Sequence, residues 1–418
     1  MRRSVAQARG QEVSRDRDAV RQRLSAVDWD FSDYVPGSRA LGLQRIHWYP
    51  ASFPPAIPGT LIDILGSGTN YFLDPFCGSG VAPIEAWLRG NIAVGIDNNP
   101  LAIEIGRAKI DLIRMHGASP CESLVEDYFS YRKKALSRIT RTDPEATCER
   151  AQLHADATRW FIPSVLTEIG ILKNWINSKR SMVAKWGTVL RVVLSSLLHR
   201  EFSIARRYHY SYVVDRSRVK EEARDHVDVP ALFVSRLRAS FLDAELLRDE
   251  LRRSGASFPD APAPTLVKAS AQELGSHIAR EIDLVVTSPP YFGMNDYVRS
   301  QYLSWLIFQW PRYEDDIAAE SGSRRSRWSQ RGLETYMTDM QRTFRALFAA
   351  LTRGGYLALV IGRSTTKLAA ENDPVPRLRS ALLREGYVEV WSGYRRVQFR
   401  KINNIPYRDE YLWVFQRE

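Results

Sequence analysis

The chain has 418 residues, of which 44% are apolar and 26% charged, as expected for a folded protein with a sizeable core. It has no run of eighteen apolar residues and no apolar leader near its N-terminus, so we expect neither a membrane span nor a secretory signal. The three scattered cysteines exclude a disulfide framework and a cysteine-rich zinc site, which indicates a reducing cytoplasm and no metal. The 59 Lys and Arg against 48 Asp and Glu give a net charge of +11, compatible with a polyanionic partner or an ordinary basic protein.

The N-terminal quarter of the chain predicts a helical arm and then a β-α-β unit. Residues 1–44 are assigned to the arm, whose role as a dimer contact stays open. After a proline-rich stretch, "YFLDPF" reads as a buried strand, "VAPIEAWLRG" as a helix closed by Gly90, and "IAVGID" as a second strand. "NPLAIEIGRAKIDLI" then predicts another helix.

Residues 111–261 differ in pattern, because Arg, Leu and Ala recur there at helical spacing without β-branched runs. "VLRVVLSSLLHREFSIARRY" and "VPALFVSRLRASFLDAELLRDELRRSG" are the clearest helices, and the loop "FPDAPAP" ends the block. We interpret this stretch as a helical insertion. It either reads a nucleic acid or forms a solvated cap.

The alternating pattern resumes after residue 261. "TLVKAS", "IDLVVTS", "YLALVIG" and "YLWVFQ" read as strands, and "AQELGSHI", "YLSWLIFQW", "LETYMTDMQRTFRALFAALTRGG" and "PVPRLRSALLREGY" as helices. Strands that alternate with helices predict an α/β fold with a doubly wound, mostly parallel sheet. Residues 45–110 and 262–418 are therefore assigned to one catalytic domain, interrupted by the insertion.

The turn "DPFCGSG" falls at the carboxyl end of the first strand, where doubly wound sheets bind ligands. Gly78 and Gly80 can take positive φ and let a ligand approach the backbone. Asp97 ends the second strand, where a carboxylate can accept both hydroxyls of a ribose. The other interpretation is a tight turn with no ligand. Cys77 is interpreted as a small packing residue rather than a nucleophile.

The same turn excludes two common phosphate sites. It lacks the GxxxxGK[ST] pattern of a P-loop and the third glycine of a dinucleotide fingerprint. Asp74 at its mouth suits a cationic amino-acid group better than a diphosphate. A ligand with a ribose at one end and an ammonium at the other is S-adenosylmethionine.

A second turn, "TSPPYFG", follows the apolar strand "DLVV" and so also lies at a carboxyl end. Two prolines remove backbone donors and leave carbonyls free to point into a pocket. Ser288 adds a hydroxyl, and Tyr291 adds a ring on which a planar base can stack. This set suits a heterocycle whose exocyclic amine attacks a sulfonium methyl. We expect the two turns to end neighbouring strands and face one cleft.

These two turns together resemble the amino-group DNA methyltransferases, whose motifs are [DN]PFxGxG and [DNS]PP[YFW]. "HWYPASFPP", "NDYVRSQYLSW", "TRGGYLALVIG" and "RDEYLWVF" are similar to further elements of that family, so the resemblance covers residues 45–110 and 265–418. It implies a Rossmann-like methyltransferase fold, S-adenosylmethionine as cofactor and a flipped base in duplex DNA. The Ser-Pro-Pro-Tyr form is typical of enzymes that methylate cytosine N4, with adenine N6 as the alternative.

The resemblance also assigns residues by position. The catalytic group is Ser288, Pro289, Pro290 and Tyr291. The cofactor group is His47, Tyr49, Pro50, Phe53, Asp74, Pro75, Phe76, Cys77, Gly78, Ser79, Gly80, Asp97, Asn98, Ser270 and Gln272. Ser270 stands where the family often has an Asp near the adenine amine, so Ser270 or Gln272 would substitute for it.

Two basic segments are candidates for DNA contact. The first lies in the insertion, with aromatic residues interleaved, and the second is a loop that is either a clamp or ordinary surface. Their residues are Arg206, Arg207, Arg216, Arg218 and Lys220, and then Arg324, Arg325, Arg327 and Trp328.

Other activities fit the motifs less well. RNA guanine and protein glutamine methyltransferases usually carry Asp or Asn before the prolines, and ring-carbon methylation needs a Pro-Cys nucleophile that no strand places here. A non-catalytic nucleic-acid binder is the alternative of a different class. The resemblance implies double-stranded DNA as partner in a bacterial or archaeal cytoplasm, near the nucleoid. A second copy of the chain and a cognate restriction endonuclease are open partners.

Overall fold

Seven strands form one central sheet in the computed structural model. They are β1 (Tyr71–Asp74), β2 (Ile92–Asp97), β3 (Thr265–Lys268), β4 (Ile282–Thr287), β5 (Leu351–Gly362), β6 (Tyr387–Val397) and β7 (Arg408–Arg417). The structure describes residues 17–31, 39–50, 54–66, 71–139, 143–206, 227–253, 261–363, 368, 371–397 and 408–418.

The sheet has the order β3-β2-β1-β4-β5-β7-β6. Strands β1 to β5 pair in parallel, and β7 runs antiparallel to both of its neighbours. The predicted doubly wound α/β fold is therefore confirmed. The chain runs from β1 outward through β2 and β3 and then resumes with β4 on the other side of β1, so the strand order reverses between β1 and β4. Parallel sheets bind ligands beyond the carboxyl ends of the strands at such a switch point.

Helices cover both faces of this sheet. They are α1 (17–25), α2 (Ala56–Leu65), α3 (Val81–Leu88), α4 (Pro100–Ile113), α5 (Cys121–Leu136), α6 (Pro144–Ala151), α7 (Pro163–Ile176), α8 (Ser181–Leu197), α9 (Val229–Arg253), α10 (Tyr302–Phe308), α11 (Tyr313–Ala318), α12 (Gln330–Ala350) and α13 (Pro374–Glu385).

The central strands are continuous apolar runs because both of their faces are covered. Successive side chains point to opposite faces, so Phe72 and Leu284 pack on one side with α1, α2 and α3. Leu73 and Val285 pack on the other side with α12 and α13. This alternation fixes the register of β1 against β4, and hence the relative position of the turns that follow them.

The helical block between α4 and β3 packs on α4 rather than standing apart. Its buried side chains form one continuous cluster with those of α4 and α10, and Trp175 and Phe233 are fully buried within it. The division of the chain into domains stays a prediction. Among the described residues, Ser181–Phe202 is long and apolar enough to cross a membrane, but 61% of its most apolar window is buried inside the protein.

The structure corrects three predicted elements. Sequence analysis assigns no strand to β6, whose outer positions are polar because it is the edge strand. α12 ends at Ala350, and the glycine pair belongs to β5, where Gly354 takes a φ of 83°. "AQELGSHI" forms a short 3₁₀ helix, Ala271–Ser276, instead of an α-helix.

Candidate active site

The turn after β1 depends on its two glycines. Gly78 and Gly80 have φ values of 49° and 78°, in the left-handed region that favours glycine. A Cβ on Gly78 would lie 3.1 Å from Cε1 of Tyr49, and one on Gly80 would lie 3.2 Å from Cα of Gly106. The turn therefore keeps its backbone close to its neighbours and open toward a ligand.

Asp97 is held at the end of β2 by backbone donors. Its Oδ2 accepts from the Gly78 N–H at 2.9 Å, and its Oδ1 accepts from the Asn99 N–H at 2.8 Å. Burial raises the pKa of Asp97 to about 6, against the lowering effect of these hydrogen bonds. The carboxylate thus has a fixed orientation, and each oxygen keeps a lone pair for a further donor.

Asp74 connects the two turns instead of standing at a pocket mouth. Its Oδ1 accepts from the Phe76 N–H at 3.0 Å and from Thr287 Oγ1 at 2.6 Å, and the side chain is buried. Burial raises the pKa of Asp74 to about 7. Because Thr287 immediately precedes Ser288, the expectation that both turns end neighbouring strands is confirmed. The expected place of Asp74 at the mouth is wrong.

The hydroxyl groups of Ser288 and Tyr291 lie 3.1 Å apart. The Tyr291 hydroxyl donates to Glu410 Oε1 at 3.1 Å, and Glu410 lies beside the buried Arg395 with 3.5 Å between Oε2 and Nε. The Tyr291 ring packs on Gly362, where a Cβ would come within 2.2 Å of Cε2. Strands β5, β6 and β7 therefore hold the tyrosine, which in turn faces Ser288.

One proline carbonyl has a partner inside the protein. The Tyr336 hydroxyl on α12 donates to the Pro290 carbonyl at 3.0 Å. The expectation that both proline carbonyls stay free to face a pocket is therefore wrong for Pro290. α12 anchors the turn through this bond, and Ser288 is the residue of the turn that brings a hydroxyl group to the cavity lining.

A single cavity lies between the two turns. It is lined by predicted residues from both sides, with Ala269, Ala271, Val81 and Ala319 filling the wall between them. The predicted residues that line it are Tyr49, Pro50, Pro75, Phe76, Cys77, Gly78, Ser79, Asp97, Asn98, Ser270, Gln272, Ser288 and Pro290.

Some predicted residues do not line the cavity. Asp74 and Gly80 lie behind the first turn, and Pro289 and Tyr291 lie behind the second, so all four support the wall instead. Phe53 falls outside the residues that the structure describes. The Tyr291 hydroxyl bonds with Ser288 and Glu410, and the base-stacking role expected of its ring stays a prediction.

His47 is misplaced in the sequence-based assignment. Its Nε2 lies 2.8 Å from Ser195 Oγ of α8 and its Nδ1 lies 2.6 Å from the Trp48 carbonyl oxygen. Burial lowers the pKa of His47 to about 4. The side chain belongs to the helical block, because α8 reaches the segment before β1, which local spacing does not reveal.

Three polar residues of the cavity are missing from the sequence-based assignment: Tyr297, Glu320 and Ser321. Tyr297 stacks on Tyr49 with centroids 6.3 Å apart, and Glu320 accepts from the Tyr297 N–H at 2.6 Å. Burial raises the pKa of Glu320 to about 8. Glu320 is the first residue of segment 320–332, whose arginines predict a basic loop. The sequence pattern therefore gives no indication that this acid lines a cavity.

A buried lysine on α4 stabilises the first turn through hydrogen bonds to Ser79. Lys109 Nζ on α4 donates to the Ser79 carbonyl at 2.9 Å and to Ser79 Oγ at 3.1 Å. Burial lowers the pKa of Lys109 to about 7. This amine lies behind the turn and fixes Ser79, which is one of the residues that line the cavity.

The basic candidates lie apart from the cavity lining. Trp328 is 65% exposed, with the Arg327 guanidinium 5.3 Å from its ring centroid. Arg324 donates its N–H to the Asn295 carbonyl, and Arg325 donates through Nη2 to the Ile317 carbonyl, so this loop is packed. Arg206 is half-buried. Four candidates lie outside the described residues: Arg207, Arg216, Arg218 and Lys220.

The side chains that line the cavity define which kinds of ligand group it can bind. In the described part of the chain, no three His, Cys, Asp or Glu side chains cluster in a way that could hold a metal ion. Hydroxyls, carboxylates and backbone N–H groups line the cavity instead. This set can bind a ligand that carries hydroxyl groups, amines and a flat ring system.

Comparison with known proteins gives distant similarities, and no family model matches the chain. The chain is 26% identical over 280 residues to the Type II methyltransferase M.MvaI of Kocuria varians, covering 64% of this chain and 57% of that protein. It is 24% identical over 199 residues to the tRNA (guanine(10)-N2)-dimethyltransferase of Methanothermobacter thermautotrophicus, covering 46% of this chain and 54% of that protein. The chain thus spans little more than half the length of these curated relatives.

Among solved structures, the rRNA methyltransferase aviRa from Streptomyces viridochromogenes is 13% identical, with 93% of this chain and 94% of that chain covered. The TM-score is 0.34, which is too low to bear on function.

Proposed function

We propose that this protein is an S-adenosylmethionine-dependent methyltransferase that modifies the exocyclic N4 amine of cytosine in duplex DNA. The observation that carries the proposal is the shared cavity, to which Gly78 and Asp97 contribute from one turn and Ser288 from the other. Direct transfer requires that a methyl donor and an amine meet in one site with their reacting atoms aligned.

The side of the cavity formed by β1 and β2 suits the cofactor. Asp97 retains lone pairs for ribose hydroxyls, and the glycine at position 78 keeps the backbone approachable. Ser270 and Gln272, which follow β3 and line the same cavity, would hold the adenine through their hydroxyl and amide groups. No Asp is needed there, because either group can accept from the adenine amine.

The charge of the cavity suits a cation. S-adenosylmethionine supplies a methyl group bonded to a positively charged sulfur, and it also carries an ammonium. Glu320 lines the cavity and Asp74 lies directly behind it, and burial raises the pKa of Glu320 to about 8 and of Asp74 to about 7. A nearby cation favours the ionised form of both carboxyl groups, so these residues and the ligand stabilise each other.

The side formed by β4 suits the amine. Ser288 Oγ can accept a hydrogen bond from an amino group, and Tyr291 holds this hydroxyl in place. An amine whose hydrogens are fixed in this way would present its lone pair to the methyl carbon. The nitrogen–carbon bond forms as the carbon–sulfur bond breaks, S-adenosylhomocysteine leaves as a neutral thioether, and the methylated nitrogen releases one proton to water. The target base has to leave the helix stack to reach such a site, at a cost of a few kcal/mol.

The choice of DNA and cytosine depends on two observations. The similarity to the curated Type II methyltransferase extends over 280 residues, against 199 for the tRNA dimethyltransferase. The first residue of the second turn is Ser288, and serine there is typical of cytosine N4 enzymes. Adenine N6 and the guanine amine of RNA are the alternative targets, and a restriction endonuclease would be the partner of a site-specific enzyme.

Methyl transfer from S-adenosylmethionine labelled in its methyl group tests the proposal. The purified protein is incubated with unmodified genomic DNA or with total RNA, and the digested nucleosides are separated and identified by mass. We expect label in N4-methylcytosine from DNA and none in RNA. Label in N6-methyladenine or in RNA guanine would replace the proposed target, and no transfer to either polymer would contradict the methyltransferase assignment.

A further inference from the structure

A second cavity lies next to the first and carries an excess of positive charge. We propose that it binds one phosphate-bearing nucleotide of the polynucleotide strand that enters the active site, an inference that rests on the proposed function. Its walls include Arg159, Arg299, Arg325, Tyr302, Tyr313 and Glu314.

Two segments of the chain contribute neighbouring residues to both cavities. Tyr297 lines the first cavity, and Arg299 lines the second only two residues later. In the same way, Ile317 lines the second cavity and Ala319 the first, so α11 and the residue after it separate them. A strand with one base in the active site would therefore bring a neighbouring nucleotide to the second cavity.

Two of the three arginines of this cavity, Arg299 and Arg325, form no ion pair within the part of the chain that the structure describes. Arg159 pairs with Asp156 at 3.8 Å. Glu314 is the acid that faces them. Arg299 is half-buried, and a partly desolvated cation without a counter-ion is costly until an anion binds. A phosphate matches a guanidinium in two parallel hydrogen bonds, so it is a suitable anion.

The cavity also offers aromatic surface. Tyr302 and Tyr313 line it, and both stack on Trp305 behind them, with centroids 6.0 Å and 4.5 Å away and planes at 17° and 24°. Trp160 lines the same cavity edge-on to Tyr302. Proteins bind nucleotides of a single strand with arginines that contact the phosphates and aromatic rings on which the bases stack. An acidic peptide would use the arginines but would have no need of the rings.

Binding of a short DNA duplex at several salt concentrations tests this inference. Arg299→Gln and Arg159→Gln remove one positive charge each, and Arg353→Gln is the matched control, because Arg353 is exposed at the amino end of β5. Fluorescence anisotropy gives the binding constant. Each Arg variant of the cavity should lower the salt dependence of log K by about 0.9 per lost phosphate contact, while the control keeps the wild-type slope.

The outcomes separate the two proposals. Wild-type slopes in both cavity variants would overturn the second site and leave the methyltransferase intact, provided that the labelled transfer described above occurs. Failure of the wild-type protein to bind or methylate any polynucleotide would overturn both. Competition by polyglutamate, without competition by single-stranded oligonucleotide, would assign the cavity to an acidic protein instead. Unchanged melting temperatures and S-adenosylmethionine affinity confirm that the variants are folded.

Discussion

Replacing Asp97 with Asn should lower the affinity for S-adenosylmethionine about 100-fold. The carboxylate is the acceptor for the ribose hydroxyls in the proposed site, and hydrogen bonds to a charged group are worth about 1.5–3 kcal/mol each. An amide can still accept from the Gly78 N–H, which the native Oδ2 does at 2.9 Å, so the turn should persist. Isothermal titration calorimetry measures the affinity.

Asp283→Asn is the matched control for this change. Asp283 also accepts from a backbone N–H, that of Tyr71 at 3.0 Å, but it does so at the amino ends of β1 and β4, the opposite edge of the sheet. Its affinity for S-adenosylmethionine should equal that of the wild type. A similar loss in both variants would show that Asp97 acts only through the stability of the fold.

Lowering the pH should reduce the affinity for S-adenosylmethionine, as the Asp97 substitution does. The free protein holds Asp97 with a pKa of about 6, and the ribose hydroxyls favour its ionised form. The contribution of Asp97 to the affinity should therefore be complete above this pKa and fall by up to about tenfold per pH unit below it. Asp74 and Glu320 protonate at higher pH, so the decline should begin near pH 8 and continue through pH 6. In the Asp97→Asn variant, the part of the decline in affinity near pH 6 should be absent.

Replacing Ser288 with Ala should reduce the rate of methyl transfer about 100- to 1000-fold without changing the affinity for S-adenosylmethionine. The hydroxyl is the acceptor that would hold the target amine, and losing one positioned hydrogen-bonding group at a reacting centre typically costs this much. Tyr291→Phe should give a smaller loss of about tenfold, because it removes only the group that orients Ser288 at 3.1 Å. Single-turnover transfer to DNA measures both rates.

Tyr387→Phe is the control for the tyrosine change. It removes a buried hydroxyl that donates to the Phe344 carbonyl at 3.1 Å, on the α12 and α13 side of the sheet. Its transfer rate should match the wild type after correction for any loss of folded protein. If Ser288→Ala transferred methyl groups at the wild-type rate, the second turn would not be the acceptor site.

Local sequence pattern was sufficient for most of the sheet. β1, β2 and β4 are apolar runs because helices cover both of their faces. The polar turns that follow these strands therefore stand out in the sequence, where each apolar run ends. The sequence pattern does not predict β6, because an edge strand keeps polar residues on its open side. The fold class follows from the alternation of strands and helices, whereas the adjacency of the two turns is a separate expectation that the pairing of β1 with β4 confirms.

The parts of the site that could not be predicted come from segments far apart in sequence. Glu320 reaches the cavity through a loop after α11, and the Glu410 partner of Tyr291 depends on β7 lying beside β5. Local resemblance predicts that His47 binds the cofactor, whereas in the folded chain its side chain bonds to Ser195 of the helical block. Arg159 and Arg299 meet at the second cavity only in the folded chain. Such contacts are set by tertiary packing.

A crystal structure with S-adenosylhomocysteine bound tests most directly whether one cavity serves both donor and acceptor. We predict that the ribose hydroxyls lie within hydrogen-bonding distance of Asp97 and that the sulfur faces the Ser288 hydroxyl across the space where Pro290 and Tyr297 form the wall. A ligand bound away from Asp97, or with its sulfur turned from Ser288, would contradict the proposal that these two turns bring a sulfonium methyl and an exocyclic amine together.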